Sequence, residues 1–438
     1  MNLFDIIAVL ISLSAVFSWV NARFLKLPTA IGLMMLALGL SLTLLLPLPL
    51  NEYIAVDARK LLSSVDFNAT LLHGMLSFLL FAGALHVNIH DLAQHRNSIA
   101  TLTTIGVLLA TLMIGLMAYV VFLLLGFDVP FLYCLLLGAL ISPTDPIAVL
   151  GVLKSAGASK SLETKITGES LFNDGIAVVL FMVLFHITVG GQTVSLGHVL
   201  ALFAQEAIGG VLFGLIVGQI ALEMLKRIDN YQVGMLITLA VASGGYALAE
   251  HIHLSAPITV VIAGLMIGNK GRRGIMSAKT QEHLDEFWEL IDESLNSILF
   301  VLIGLEMLAL TLHKHFLLAG ALMIPLVLLA RALSVGMPLG IYRGFRNVSP
   351  STVAVLTWGG IRGGISVALA LSLPPGATRD LIVTVTYIIV VFSIMVQGLT
   401  LAPLIRAFNQ STNREFGRAT PDSDAAEADT ATDVPQHV

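Results

Sequence analysis

The chain has 438 residues, of which 56% are hydrophobic and 12% charged, with a net charge of −5. About a quarter of an ordinary soluble protein's residues are charged, so this composition excludes a soluble globular domain and makes the bilayer the natural solvent. Nothing in it resembles a nucleic-acid surface, and the single Cys134 lies in an apolar segment, so disulfides play no part in the fold.

The first residues, MNLFDIIAVL, lack a basic leader and a small-residue cleavage site, and read as a first membrane helix and not a removable signal peptide. A spanning helix needs about 20 mostly apolar residues, fewer if it is broken or buried. Thirteen segments qualify: about 2–20, 27–49, 69–88, 98–125, 130–153, 163–189, 198–225, 231–250, 254–269, 286–311, 316–342, 351–373 and 379–408. The expected fold class is therefore an all-α polytopic membrane protein with 13 transmembrane helices. The polar, acidic stretch after about 410 has no apolar periodicity and reads as a disordered cytoplasmic tail, too short for a folded regulatory domain.

Lysine and arginine set the orientation, because cytoplasmic loops carry their excess. With the C-terminus inside, seventeen of the 23 fall on the cytoplasmic side. They include Arg23, Lys26, Arg96, Lys154, Lys160, Lys165, Lys226, Lys270, Arg272, Arg273, Arg343, Arg346 and Arg406. Only Arg59, Lys60, Lys314 and Arg379 fall opposite, while Arg331 and Arg362 lie within segments. An odd number of spans with the N-terminus outside is the parity that gives this bias.

Three weak matches in a shared order point to an internal repeat. Pro28 and Gly39 stand eleven residues apart in the second segment, as do Pro257 and Gly268 in the ninth. Ser77–Leu85 resembles Ser297–Leu305, and TDPIAV at 144–149 sits where RGGISV sits at 362–367. Seven segments separate the members of each pair, an odd number, so the halves are inverted with respect to one another. The expected division is a membrane domain over 1–409, with a first six-helix repeat in 1–197, a linking helix in 198–230, and a second repeat in 231–409.

The fifth and twelfth segments are broken at matching depth. Pro143 and Pro146 each remove a backbone donor and clash with the preceding turn. Gly359, Gly360, Gly363 and Gly364 loosen the twelfth. Unwound backbone at membrane depth survives only against protein or water, and paired interruptions in two halves mark a transport site.

The sixth segment opens with GESLFNDG at 168–175. Glu169 and Asn173 are four residues apart, as are Ser170 and Asp174, so they form adjacent columns on one helix side. At 1.5 Å per residue, Asp174 lies ~16 Å in from Glu163, close to the midplane. Asp145, Glu169 and Asp174 then face one intramembrane cation, Arg362. The surplus carboxylates need a bound cation or a proton, and a carboxylate that takes either in turn makes their binding mutually exclusive. Alternating access turns that competition into exchange. Carboxylate, hydroxyl and carbonyl oxygens, the last freed at Thr144, suit an alkali ion.

SPTDP, GESLFNDG and GGIRGGIS in this order resemble the monovalent cation–proton antiporters of family one, the group of the NhaP proteins and the NHE exchangers. The similarity spans about residues 5–408. It implies the inverted-repeat NhaA/NhaP-like fold, with discontinuous segments 5 and 12 crossing. It implies that Asp174 is the ion- and proton-binding carboxylate, with Thr144 (through its backbone), Ser170, Asp145 and Glu169 completing the site. Glu169 would pair with Arg362, and Asn173 would brace the assembly. The asparagine at 173 implies electroneutral one-for-one exchange of Na+, or Li+, for H+ across a prokaryotic cell membrane, without a cofactor. A homodimer is implied too, its dimerisation domain containing Pro28.

A K+/H+ antiporter would use the same fold. An intramembrane aspartyl protease with an Asp145–Asp174 dyad would leave Arg362 and Glu169 without a role, and a cation channel would pass ions with no coupled proton. Among the remaining polar residues, Arg331 is expected to form a structural ion pair with Glu306. Glu206 and Glu223 are expected to face water or a dimer interface. His86, His90 and His95 read as solvated loop histidines. The acids Glu282, Asp285, Glu286, Glu289, Asp292 and Glu293 are either a cation-concentrating approach or an amphipathic lead-in.

Overall fold

The computed structural model describes residues 3–46, 56, 69–158, 160–190, 196–272, 274–310, 313–343 and 350–418. Arg59, Lys60, Arg273 and Arg346 of the charge pattern lie outside them. Among the described residues the structure is helical, without strands. A backbone in hydrocarbon must satisfy its polar groups within the protein, and a helix does so within its own segment.

The first half comprises α1 (Leu3–Val20), α2 (Thr29–Leu44), α3 (Leu76–His86), α4 (Val107–Leu124), α5 (Phe131–Ile141), α6 (Ile147–Ser155) and α7 (Lys160–Gly190). Then follow α8 (Leu196–Arg227), α9 (Tyr231–Ala240), α10 (Ala256–Lys270), α11 (Ala278–Glu306) and α12 (Lys314–Arg343). The chain closes with α13 (Pro350–Trp358), α14 (Gly364–Leu371), α15 (Ala377–Phe392) and α16 (Gly398–Arg418). Each of the thirteen expected segments contains described helix. Among the described residues seven helices are long and apolar enough to cross a membrane, and four more are apolar but shorter. α16 runs to Arg418, so the expected start of the tail near 410 falls inside a helix. Residues 419–438 lie outside those described.

Helix starts follow local chemistry. Ser255 accepts the Ile258 N–H at 3.4 Å, with Pro257 in the first turn of α10. Asn230 caps α9 through the Gln232 N–H at 2.9 Å. Such caps satisfy amides that the helix itself cannot. Ser277 caps α11 and also donates its hydroxyl to Asp229 at 2.7 Å, while the Thr280 hydroxyl donates to the same carboxylate at 3.1 Å. This clasp ties the α8–α9 turn to the start of α11.

Lipid tails are as apolar as leucine, so helices gain little by merely burying apolar surface against each other. Small residues that let backbones approach do the work. A Cβ on Gly268 of α10 would collide with the Leu85 carbonyl of α3. Gly138 of α5 meets the Thr111 carbonyl of α4 in the same way. Gly214 of α8 sits 2.6 Å, at its would-be Cβ, from the Thr259 carbonyl of α10. On α11, the Gly304 carbonyl accepts the Ser41 hydroxyl of α2 at 2.9 Å. The same helix is anchored by fully buried Trp288, whose indole N–H donates to Thr238 at 3.0 Å and whose ring packs 4.7 Å from Phe81.

Two predictions follow from these contacts. Gly268→Ala forces a methyl into a backbone carbonyl that cannot rotate away, an overpacking cost of about 1–3 kcal/mol. Its melting temperature in detergent should fall by several degrees, whereas Gly39→Ala, where a Cβ meets only open space, should melt like the parent. Hydrogen bonds from Ser277 and then Thr280 hold the Asp229 carboxyl below its ordinary value of 3.8. A lowered folded-state value means the contribution is present above 3.8 and lost as pH falls through the lowered value. The small thermal-stability advantage of the parent over Asp229→Asn should therefore be constant above pH 5 and vanish in stronger acid.

Candidate functional site

Two helices break, and the breaks cross. α5 stops at Ile141 and α6 resumes at Ile147, with Pro143 and Pro146 between them. α13 stops at Trp358 and α14 begins at Gly364. Each break leaves backbone groups without helical partners, and the other break supplies many of them. The Asp145 N–H donates to the Ile361 carbonyl at 2.7 Å. One guanidinium nitrogen of Arg362, Nη1, donates to the Ser142 carbonyl at 2.6 Å and to the Pro143 carbonyl at 2.9 Å. These oxygens end α5, where the helix dipole is negative and a cation is favoured.

A second chain of hydrogen bonds stitches the α13–α14 break to a π turn at Ser393–Gln397 between α15 and α16. The Arg362 N–H donates to Ser393 Oγ at 2.9 Å, and that hydroxyl donates to Gln397 Oε1 at 2.6 Å. Gln397 Nε2 then donates to the Trp358 carbonyl at 2.9 Å. Gly363 is required by approach: a Cβ there would stand 2.5 Å from Asp145 Oδ2.

α7 passes this crossing with Ser170, Asn173 and Asp174 turned to it. Asn173 donates through Nδ2 to Thr144 Oγ1 at 2.9 Å and accepts the Thr144 N–H at a long 3.5 Å. The Thr144 hydroxyl also meets Ser170 Oγ at 3.0 Å. Asp174, only 5% exposed, lines a cavity of about 710 Å³ together with Pro143, Thr144, Asp145, Pro146 and Gly363. Glu289 and Asp292 of α11 line it too, as do exposed His86, Lys160 and Arg272 and half-buried Asp91, which mark its mouth. At that mouth Lys160 pairs with Asp91 at 3.0 Å and Arg272 with Asp285 at 2.7 Å. His86 Nε2 lies 4.0 Å from Asp285, while the His95 ring is hydrogen-bonded to Ser161 at 3.1 Å. Glu223 pairs with Arg227 on the exposed side of α8.

Two pairings differ from the sequence reading. Glu169, 1% exposed, points away from the cavity and pairs with Arg331 of α12 at 2.5 Å, not with Arg362. Arg331 in turn is not held by Glu306, which closes α11 and feels the charge of Arg379. Arg362 is drawn instead to the free carbonyls of α5. Glycine again makes the room: a Cβ on Gly360 would stand 2.7 Å from Arg331 Nε. Depth along the helices carried the signal. Arg331 is ~18 Å from the Arg343 end of α12 and Glu169 ~14 Å from the Lys160 end of α7, both basic ends. Glu306 lies at the opposite end of its helix.

The structure thus brings Thr144, Asp145, Ser170, Asn173 and Asp174 to one place, with Pro143, Pro146, Gly363 and Arg362 shaping it. It sets Glu169 behind, in a separate ion pair. Arg331 and the Ser393–Gln397 stitch belong to the assembly and were not assigned to it from sequence.

Residues 9–407 match the family described as "Sodium/hydrogen exchanger, transmembrane". The chain is 49% identical over 412 residues to the Na+/H+ antiporter NhaP of Pseudomonas aeruginosa, covering 92% of this chain and 96% of that protein. It is 35% identical over 396 residues to the Na+/H+ antiporter NhaH of Halobacillus dabanensis, covering 88% and 93%. Its fold is similar to that of the sodium proton antiporter MjNhaP1 from Methanocaldococcus jannaschii, with a TM-score of 0.73, 20% identity, and coverage of 92% of this chain and 99% of that one. The chain, a multi-pass membrane protein, belongs to the sodium/hydrogen exchanger family.

Proposed function

We propose that this protein exchanges one monovalent cation, Na+ or Li+ in preference to K+, for one proton, with the two competing for Asp174. The observation that carries the reading is a nearly buried carboxylate in a cavity that reaches the crossing of two broken helices, beside hydroxyl and carboxylate oxygens. Thr144, Ser170 and Asp145 supply the oxygens around it, and Asn173 fixes Thr144 by two hydrogen bonds.

The ion pair of Glu169 with Arg331 sharpens the charge balance. Three acids, Asp145, Glu169 and Asp174, now stand against two guanidinium groups, Arg331 and Arg362. One negative charge is left over, which one monovalent cation or one proton neutralises. That supports electroneutral one-for-one exchange better than the sequence reading did, in which two charges were in surplus. Carrying a neutralised site through the membrane avoids the cost of moving a net charge through hydrocarbon.

The cavity is lined at its exposed end by Lys160 and Arg272, and the excess of basic residues there supports a cytoplasmic mouth, with the N-terminus outside and the C-terminus inside. On that reading the structure is the inward-facing state. The inverted repeats, 1–197 and 231–409 joined through α8, supply the alternative state by rocking against one another. α1 exposes Phe4, Ile7, Ile11 and Trp19, a face suited to lipid or to a second copy in a homodimer.

In proteoliposomes with an internal pH dye, adding Na+ or Li+ should drive proton movement in the parent, and Asp174→Asn should reduce it to the empty-liposome background. Exchange by the mutant at the parental rate would overturn the site. A potassium diffusion potential set with valinomycin should leave the Na+-driven rate unchanged; a rate that follows the potential would sink the one-for-one stoichiometry.

Removing one partner of a buried ion pair strands the other charge, at a cost of about 3–5 kcal/mol. Arg331→Met should accordingly lower the melting temperature in detergent sharply, and Glu169→Gln added to it should restore most of the loss. Arg362→Met combined with Glu169→Gln should show no such recovery.

A further inference from the structure

We infer that Asp292 and Asn296 of α11 form a second station for the transported alkali cation, between the cavity mouth and Asp174. The inference rests on the exchange reading above and adds a site to it. Asp285, Glu289, Asp292 and Asn296 recur at intervals of four, three and four residues, so they lie on one face of α11. The row starts at the mouth, where Arg272 holds Asp285 at 2.7 Å, and runs ~16 Å inward. Glu289, Asp292 and Asn296 all line the cavity that contains Asp174, Thr144 and Asp145.

Asn296 sets this row apart from a solvated acidic face. It is 5% exposed, and its Nδ2 donates to the Asp292 carbonyl at 2.8 Å. Its Oδ1 is buried and has no hydrogen-bond partner among the described residues. A buried amide oxygen without a donor is unfavourable, and the Asp292 carboxylate beside it on α11, when ionised, only accepts. A cation satisfies both at once. Asp145, Asp174 and Asp292 line the same cavity, so a cation entering it meets their charges together.

A carboxylate and an amide carbonyl are hard oxygen donors of the kind alkali ions accept. Two protein ligands leave the ion partly hydrated, so it is held loosely enough to move on. That is the condition for conduction through successive sites, where binding must permit both entry and departure. The neutral oxygen at Asn296 meets it better than a fourth acid would.

The test is Na+-dependent exchange in proteoliposomes by Asp292→Asn, Asn296→Ala, Asp292→Glu and Glu289→Gln, each first checked for a monodisperse profile in detergent. Asp292→Asn should raise the KM for Na+ at least five-fold and Asn296→Ala about three-fold, with maximal rates within two-fold of the parent. Asp292→Glu should restore the KM, and Glu289→Gln should shift it less than two-fold. Independently, 22Na+ binding to Asp174→Asn in detergent should persist weakly and disappear when Asp292→Asn is added. An unchanged KM in Asp292→Asn would overturn the station while leaving Asp174 in place. A KM rise reproduced by Glu289→Gln, or by raising ionic strength with choline chloride, would overturn it in favour of a diffuse charge effect. Full exchange by Asp174→Asn would instead remove the exchange reading on which the station depends.

Discussion

A backbone that leaves the helical path in hydrocarbon frees amides and carbonyls that water cannot reach, and each costs several kcal/mol if unmatched. The architecture around the site is arranged to meet that cost. The Asp145 amide is answered by the Ile361 carbonyl, and the carbonyls of Ser142 and Pro143 by the Arg362 guanidinium. The far side of the second break is tied down by Ser393 and Gln397. Because each break completes the other, neither can relax into continuous helix without stranding its partner. The crossing is thus kept open beside Asp174, where the proposed exchange binds its ion.

Electrostatics follows from that geometry. Arg362, committed to the α5 carbonyls, serves as a structural cation as much as a counter-charge. Glu169 therefore takes its cation from another helix, and Arg331 ties α7 to α12 through a pair buried on both sides. Asp174 is left in the cavity as a carboxylate with oxygen neighbours and no dedicated guanidinium of its own among the described residues. In the proposed exchange such a group is neutralised by a cation or a proton, one at a time. The exchange chemistry needs no more than this and a protein with two accessible states.

Much of this was legible in the residues. Pro143 and Pro146 cannot sit in unbroken helix, so the first break was visible, and the glycines from 359 to 364 marked the second. The four-residue spacings in GESLFNDG gave the columns on α7, and the structure turns Ser170 and Asn173 to Thr144 and Asp174 into the cavity. The pairings were harder to read. Two arginines and three acids at similar depth allow several assignments, and only the relative rotation of α7 and α12 decides among them. Ser393 and Gln397 gave no signal, because a serine and a glutamine in an apolar run are common, and their role depends on a π turn meeting a break more than 30 residues earlier.

Composition and hydropathy by themselves determined that the chain lives in a bilayer as helices, since a long continuous apolar segment satisfies its polar backbone there by hydrogen-bonding within itself. Proline and glycine determined where two of those helices give way, and periodicity determined which side chains share a face of α7. The tertiary structure alone decided which arginine answers which acid, and that Glu169 braces α12 instead of facing the cavity. It also decided that Asn296 reaches the cavity wall with an unpartnered oxygen. Those outcomes depend on how helices rotate and approach one another, which is set by the close contacts at Gly268, Gly138, Gly360 and Gly363. Spacing along a single helix carries no record of them.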